Sequence, residues 1–245
     1  MISSNAKAVI LTPPKKKITG KIALPGSKSI TNRVLLLAAL ANGESRITGA
    51  LKSDDTKYMA QALRQLGVLV DETGETEFLI KSDGNLKPSE NELFLGNAGT
   101  AVRFLTAAAA TINGTTILTG DEHMQKRPIA PLIAALKEAG IDASAPTDCP
   151  PVTIKSDGSF KNRDIKIDAS LSSQYVSALL MAANKGESPF RLGVKDGDIG
   201  ALGYIDITLE CMRAFGADVK EIGKLDWEIA NIPYIARDYW VEPDA

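Results

Sequence analysis

Residues 24–43 read Leu-Pro-Gly-Ser-Lys-Ser-Ile-Thr-Asn-Arg-Val-Leu-Leu-Leu-Ala-Ala-Leu-Ala-Asn-Gly. A start rich in Gly, Ser and Thr runs into a helical segment, Ser29 to Ala41, which stops at Asn42-Gly43. Glycine just past a helical pattern is the expected stop, because it takes a left-handed backbone without a side-chain clash. The pattern returns twice: Gly99 to Ile112 stops at Asn113-Gly114, and Ser173 to Asn184 stops at Lys185-Gly186. Three more helical segments alternate with these. Thr56 to Leu66 stops at Gly67, Ile129 to Ala139 at Gly140, and Ile205 to Phe215 at Gly216. The first set of stops is spaced by 71 and 72 residues, the second by 73 and 76.

Short β-branched or apolar runs follow every stop and read as strands. After the first set come Glu44-Ser-Arg-Ile-Thr, Thr115-Thr-Ile-Leu-Thr and Glu187-Ser-Pro-Phe-Arg. After the second set come Val68-Leu-Val, Ile141-Asp-Ala and Ala217-Asp-Val. The spacing predicts an α/β protein made of three copies of a strand–helix–strand–helix–strand unit. The period exceeds that of a solenoid, roughly 20–50 residues, so the copies are expected to share one core. The first-set helices are apolar nearly all round and are predicted to be buried. The second set keeps Arg64, Lys137, Glu138 and Arg213 and is predicted to be half exposed. Residues 1–20 and 225–245 fit no copy. The latter hold Trp227, Tyr234, Tyr239 and Trp240 and read as the beginning of something further.

Composition narrows the function. The 245 residues carry 28 Lys plus Arg against 30 Asp plus Glu, a net charge of −2. That balance argues against a nucleic-acid binder relying on global positive charge. One histidine, His123, and two cysteines, Cys149 and Cys211, argue by residue count against a His/Cys zinc site and allow at most one disulfide, which suits a reducing cytoplasm. The apolar stretch Ala98 to Ile112 contains Arg103 and is too short for a membrane span. The N-terminal apolar run, halted by Pro13 and Pro14, is wrongly flanked for a signal peptide.

The starts of the first-set helices carry the chemistry. A helix N-terminus offers free N–H groups and roughly half a positive charge, a ready anion site. Three such ends converge if the copies pack with three-fold symmetry. Ser29 and Arg33 share one helix face; so do Thr100 and Arg103. Arg103 is the only charge in its apolar run and needs an anionic partner, either an external anion or a distant Asp or Glu. Lys28 sits in Pro-Gly-Ser-Lys-Ser, which lacks the GxxxxGK[ST] spacing of a nucleotide loop; alone it reads as a solvated turn. Arg127, in a polar loop, and Ser172-Ser173-Gln174, a cap, are equally plain in isolation. His123 is expected on the surface, and no Ser/His/Asp triad assembles.

Together these blocks resemble 5-enolpyruvylshikimate-3-phosphate synthases. Leu24 to Arg33 is similar to that family's first signature and Leu95-Gly-Asn-Ala-Gly-Thr-Ala-Val-Arg103 to its second. Lys126-Arg-Pro-Ile, Ser172-Ser-Gln and Tyr204-Ile-Asp-Ile-Thr follow in the family's order. The resemblance implies a domain of three β-α-β-α-β-β units, spanning 21–235. Residues 1–20 would belong to a second, mostly missing domain, and 236–245 would begin the return into it. It implies transfer of the carboxyvinyl group of phosphoenolpyruvate to the 5-hydroxyl of shikimate 3-phosphate, without metal or organic cofactor. Lys28 would touch both substrates and serve in proton transfer. Ser29 and Arg33 would hold shikimate 3-phosphate. Gly99 and Arg127 would hold phosphoenolpyruvate, with Arg103 in support and Asn97 and Thr100 beside them. Ser172 and Ser173 would bind the 3-phosphate, Gln174 would sit between the substrates, and Tyr204 would line the shikimate side. Two departures stand out: Ala201-Leu-Gly replaces a hydroxyl-bearing block, and Phe104 is bulkier than the family's usual residue.

The related transferase acting on UDP-N-acetylglucosamine places a reactive Cys in the loop equivalent to 120–128, where this chain has none. The alternative from another class is a non-catalytic shikimate-3-phosphate-binding domain, or a fragment that pairs with a complementary chain.

Overall fold

The computed structural model describes residues 12–22, 24–186 and 188–243. The first eleven residues of the expected leader and the last two of the expected return lie outside that range. All six expected helices form, with ends moved by at most three residues. They are α1 (Lys28–Leu40), α2 (Asp54–Gln65), α3 (Gly99–Ala109), α4 (Ala130–Glu138), α5 (Ser173–Ala182) and α6 (Gly203–Ala214). Helices α1, α3 and α5 are buried nearly all round, while α2, α4 and α6 each bury one face. Leu35, Leu36, Phe104, Leu105, Val176 and Leu179 are fully buried members of a single apolar core.

Three sheets wrap this core. The second holds β4 (Leu93–Phe94), β5 (Asn113–Thr119), β6 (Asp142–Ser144) and β7 (Val152–Asp157), ordered β4-β5-β7-β6. The third holds β8 (Asp164–Ala169), β9 (Phe190–Ile199), β10 (Val219–Gly223) and β11 (Asp226–Ile229), ordered β8-β9-β11-β10. In both, the strand after the buried helix has a parallel neighbour on one side and an antiparallel one on the other. The first sheet holds β1 (Ala41–Thr48), β2 (Leu69–Thr73) and β3 (Glu77–Asp83), and among the described residues its own copy supplies no leading parallel strand. The chain's tail fills the place. Strands β12 (Tyr234–Ile235) and β13 (Tyr239–Trp240) both pair parallel with β1.

Pairing therefore continues past residue 235, where the sequence reading ends this domain. Val241 N–H donates to Thr48 O, Ser27 N–H to Glu242 O, and Gly26 bridges Pro243. The tail is a closing element of the first copy, since β1 would otherwise present an unpaired edge.

The glycine stops divide into two kinds. At Gly67, Gly140 and Gly216, φ lies between 84° and 88°. In each case the glycine N–H bonds the carbonyl three residues back, and the next N–H bonds the one five back. That is the Schellman arrangement, as the spacing predicts. Gly43 and Gly114 are not caps. They lie inside β1 and β5 with φ of 125° and 144°. A Cβ on Gly43 would come 2.9 Å from the Cβ of Ala236, and one on Gly114 3.0 Å from that of Pro88. Close approach of a neighbouring chain is what requires glycine there. Serines terminate the buried helices instead: Ser82 Oγ donates to Ala39 O and Ser156 Oγ to Ala110 O, both at 2.6 Å. In the third copy Tyr234 OH donates to Met181 O at 2.9 Å.

The expected strand at 187–191 starts late, since β9 begins at Phe190 and Glu187 lies outside the described residues.

Candidate functional site

The N-termini of α1, α3 and α5 meet at one pole. Lys28, Asn97, Gly99, Thr100, Arg127 and Gln174 line a single cavity of about 500 Å³ there. Each comes from a locally explicable start. Ser27 caps α1 by accepting from Ile30 N–H, which places Lys28 in the first turn. Helix α3 has no side-chain cap; Gly99 N–H turns back to Asn97 O, and the cavity lies against Gly99 and Thr100 of its first turn. Ser172 caps α5 by accepting from Gln174 N–H at 3.2 Å.

The loop carrying Arg127 is pinned at both ends. Asp121 N–H donates to Gly96 O, and the Asp121 carboxylate accepts from His123 and Met124 N–H, both at 2.9 Å. A 3-10 turn at Met124–Lys126 follows, closed by Arg127 N–H on Met124 O. The Arg127 side chain then lies against α3. A Cβ on Gly99 would fall 2.3 Å from Arg127 Nη1 and 3.2 Å from Arg103 Nη1.

Arg103 answers the question of its partner. Its Nη1 donates to Gln174 Oε1 at 2.7 Å and Gly99 O at 3.3 Å, and its Nη2 to Pro128 O at 3.4 Å. Its guanidinium lies 5.4 Å from the Tyr175 ring centroid, and its buried Nε has no partner. Among the described residues no carboxylate pairs with it. Burial, and then the charge of Arg127, hold it below the usual arginine range. Two guanidinium groups thus flank a helix N-terminus that has no side-chain cap, with no carboxylate pairing either among the described residues, an arrangement that favours an external anion.

Lys28 is paired instead. Its Nζ lies 3.2 Å from Asp55 Oδ2. Asp54, Asp55, Tyr58 and Asp121 also line the cavity, and sequence reasoning missed all four. The signal was present in Ser53-Asp-Asp-Thr56, where Thr56 Oγ1 accepts the Ser53 N–H as the start of α2. Helix α2 belongs to the second set, yet it begins beside the first-set helix starts.

Ser29, Arg33, Ser172, Ser173 and Tyr204 do not line this cavity. Arg33, Ser29 and Tyr204 form a neighbouring cluster, in which Arg33 is only 1% exposed. Its Nε donates to Thr208 Oγ1 at 2.8 Å, Nη1 to Ser29 O at 2.8 Å, and Nη2 to Tyr204 O and Ser177 Oγ at 3.1 and 3.3 Å. Burial pushes its pKa down to about 10. The expectation that Arg33 faces a ligand meets a guanidinium that instead ties α1 to α5 and α6. Phe104 belongs to the same knot: its ring centroid is 5.1 Å from the Arg33 guanidinium. Its bulk is therefore taken up beneath Arg33. Leu202 and Tyr204, at the uncapped start of α6, are about half exposed.

His123 is exposed, as expected, and no helix among the described residues is long and apolar enough to cross a membrane.

Comparison with known proteins follows the same lines. The family model for EPSP synthase (3-phosphoshikimate 1-carboxyvinyltransferase) matches residues 12–245. A 3-phosphoshikimate 1-carboxyvinyltransferase of Rhizobium leguminosarum bv. trifolii (strain WSM2304) is 56% identical over 244 residues, covering 100% of this chain and 58% of that protein. The protein of that name from Pseudomonas syringae pv. syringae (strain B728a) is 53% identical over 233 residues, covering 95% and 56%. A solved EPSP synthase from Acinetobacter baumannii superposes with a TM-score of 0.81 at 27% identity, covering 92% of this chain and 50% of that one. The chain thus spans little more than half the length of these relatives.

Proposed function

Because the chain belongs to the EPSP synthase family, we propose that its polar cavity takes part in carboxyvinyl transfer from phosphoenolpyruvate to the 5-hydroxyl of shikimate 3-phosphate. The observation that carries this reading is the pair Arg103 and Arg127, which have no carboxylate partner among the described residues and lie at the N-terminus of α3. Phosphoenolpyruvate, a small multiply charged anion, suits that corner. Gly99 keeps the space open, and Gln174 fixes Arg103 from the side of α5.

In the reaction the 5-hydroxyl oxygen adds to C2 of phosphoenolpyruvate while C3 gains a proton. The tetrahedral adduct then loses phosphate and a methyl proton to leave the enol ether. Arg103 and Arg127 stabilise the charge on the phosphate and carboxylate through both steps. Lys28, held by Asp55, moves a proton near the reacting oxygen. Ser29, Ser172, Ser173 and Tyr204 receive shikimate 3-phosphate, with Arg33 holding the helix starts in register. Residues 1–20 belong to a second domain, and a complementary portion supplies the remaining contacts. A cytoplasmic setting accords with the two free thiols.

A second reading is favoured by length: the chain covers 58% of its Rhizobium relative. On that reading it binds shikimate 3-phosphate without turning it over. A phosphate-release assay on the 245-residue chain separates the two, because turnover excludes the binding-only view. Calorimetry tests the site itself. Arg127→Ala is expected to weaken phosphoenolpyruvate binding at least tenfold, since a hydrogen bond to a charged group is worth about 1.5–3 kcal/mol. Lys28→Ala is expected to weaken both ligands. Unchanged affinities in both variants would refute the assignment.

A further inference from the structure

We infer that Tyr175 is a positioning residue for the arginine pair, an inference that rests on the reading above for its ligand. Tyr175 lies in the first turn of α5, 1% exposed. Its hydroxyl donates to Pro128 O at 2.7 Å. Pro128 directly follows Arg127, so this bond anchors the backbone from which the Arg127 side chain departs. The same carbonyl accepts from Arg103 Nη2 at 3.4 Å, and the Tyr175 ring supports the Arg103 guanidinium from 5.4 Å. One side chain therefore touches both halves of the anion corner, one through a carbonyl and the other through its ring.

The need for such a group is physical. Arg103 and Arg127 repel each other, and each has several rotatable bonds. Like charges held together before a ligand arrives must be fixed by neutral contacts, and a prearranged pair binds more tightly than one that must be ordered on binding. Gln174 holds Arg103 from one side. No other side chain among the described residues bonds the Pro128 carbonyl from α5. The neighbouring turn is held by local bonds: Gln125 N–H donates to Asp121 O, Lys126 N–H to His123 O and Arg127 N–H to Met124 O, and the Asp121 carboxylate takes the His123 and Met124 amides.

Two variants separate the hydroxyl from the ring. Tyr175→Phe keeps the ring under Arg103 and removes the anchor; Tyr175→Leu removes both. In Tyr175→Phe, hydrogen exchange at the amides of 125–127 is expected to quicken about tenfold, with the α5 interior unchanged. Phosphoenolpyruvate affinity is expected to fall about tenfold, while shikimate 3-phosphate affinity stays within twofold. Tyr175→Leu is expected to extend the first loss without adding to the second. Unchanged exchange at 125–127 overturns the inference whatever the ligands do. Equal loss of both ligands overturns it too, because general packing damage would produce that. A parent chain that binds neither ligand refutes the functional reading alone, and the exchange rates then decide the role of Tyr175.

Discussion

Burial decides what several single residues do here. Cys211, on α6, is 1% exposed, and burial pushes its thiol up to about 11 from an ordinary 9.0. The folded chain keeps that proton through a window in which the unfolded chain loses it. Stability from this thiol is therefore complete below pH 9 and is lost as pH rises from 9 to 11, by about 2–3 kcal/mol. Denaturant midpoints at pH 8.5 and 10.5 check the sign: the fall should be smaller in Cys211→Ala than in the parent. Equal falls would remove Cys211 from the account. Cys149 is half exposed, so at pH 8 the native chain should react with one equivalent of a thiol reagent and the denatured chain with two. Arg33 shows the same rule acting on function. Its residue type and helical position suggest a ligand contact, but 1% exposure and four internal acceptors make it a tie between helices.

Among the elements, the helix ends and the tail strands have separate energetics. Gly140 has φ +84°, and a Cβ there would come 2.7 Å from the Cβ of Lys161. Gly140→Ala should destabilise by about 1–2 kcal/mol from the backbone alone, and more if Lys161 cannot move aside. Chemical denaturation measures it, and a stabilised variant would contradict the Schellman reading. Tyr234 combines a buried ring, a register position on β1 and the bond to Met181 O. Tyr234→Ala should cost about 3–5 kcal/mol. Hydrogen exchange in β1 should rise before that in β5 or β9, because only the first sheet depends on the tail. Uniform exchange across the three sheets would argue that β12 and β13 are incidental. The helices were legible because α1, α3 and α5 carry long apolar runs and α2, α4 and α6 end at Schellman glycines. The tail strands were not, because two-residue strands have no periodicity and their partner, β1, lies about 190 residues away in sequence.

At the scale of the whole molecule, three buried helices aim their N-termini at one pole, where two arginines have no carboxylate partner among the described residues. A multiply charged anion should therefore stabilise the fold. A ligand at 100 times its dissociation constant adds about 2.7 kcal/mol. Phosphate should raise Tm more than chloride at equal ionic strength, and Arg127→Ala should abolish the difference. Equal shifts with both salts would mean that the pole has no specific anion site.

Local patterning along the chain specified the six helices, the three-fold repeat and the polar starts of the buried helices, rich in Gly, Ser, Thr or Asn. These are local: apolar period, capping residues and glycine stops act within a few residues along the chain. It also marked Arg103 as a charge in need of a partner. Only the tertiary structure decided which charges remain available. Asp55 takes Lys28, the knot of α1, α5 and α6 takes Arg33, and Arg103 and Arg127 are left against Gly99. It also decided that the tail closes the first sheet. Charge pairing and strand pairing depend on distance in space, and no spacing along the chain encodes that distance.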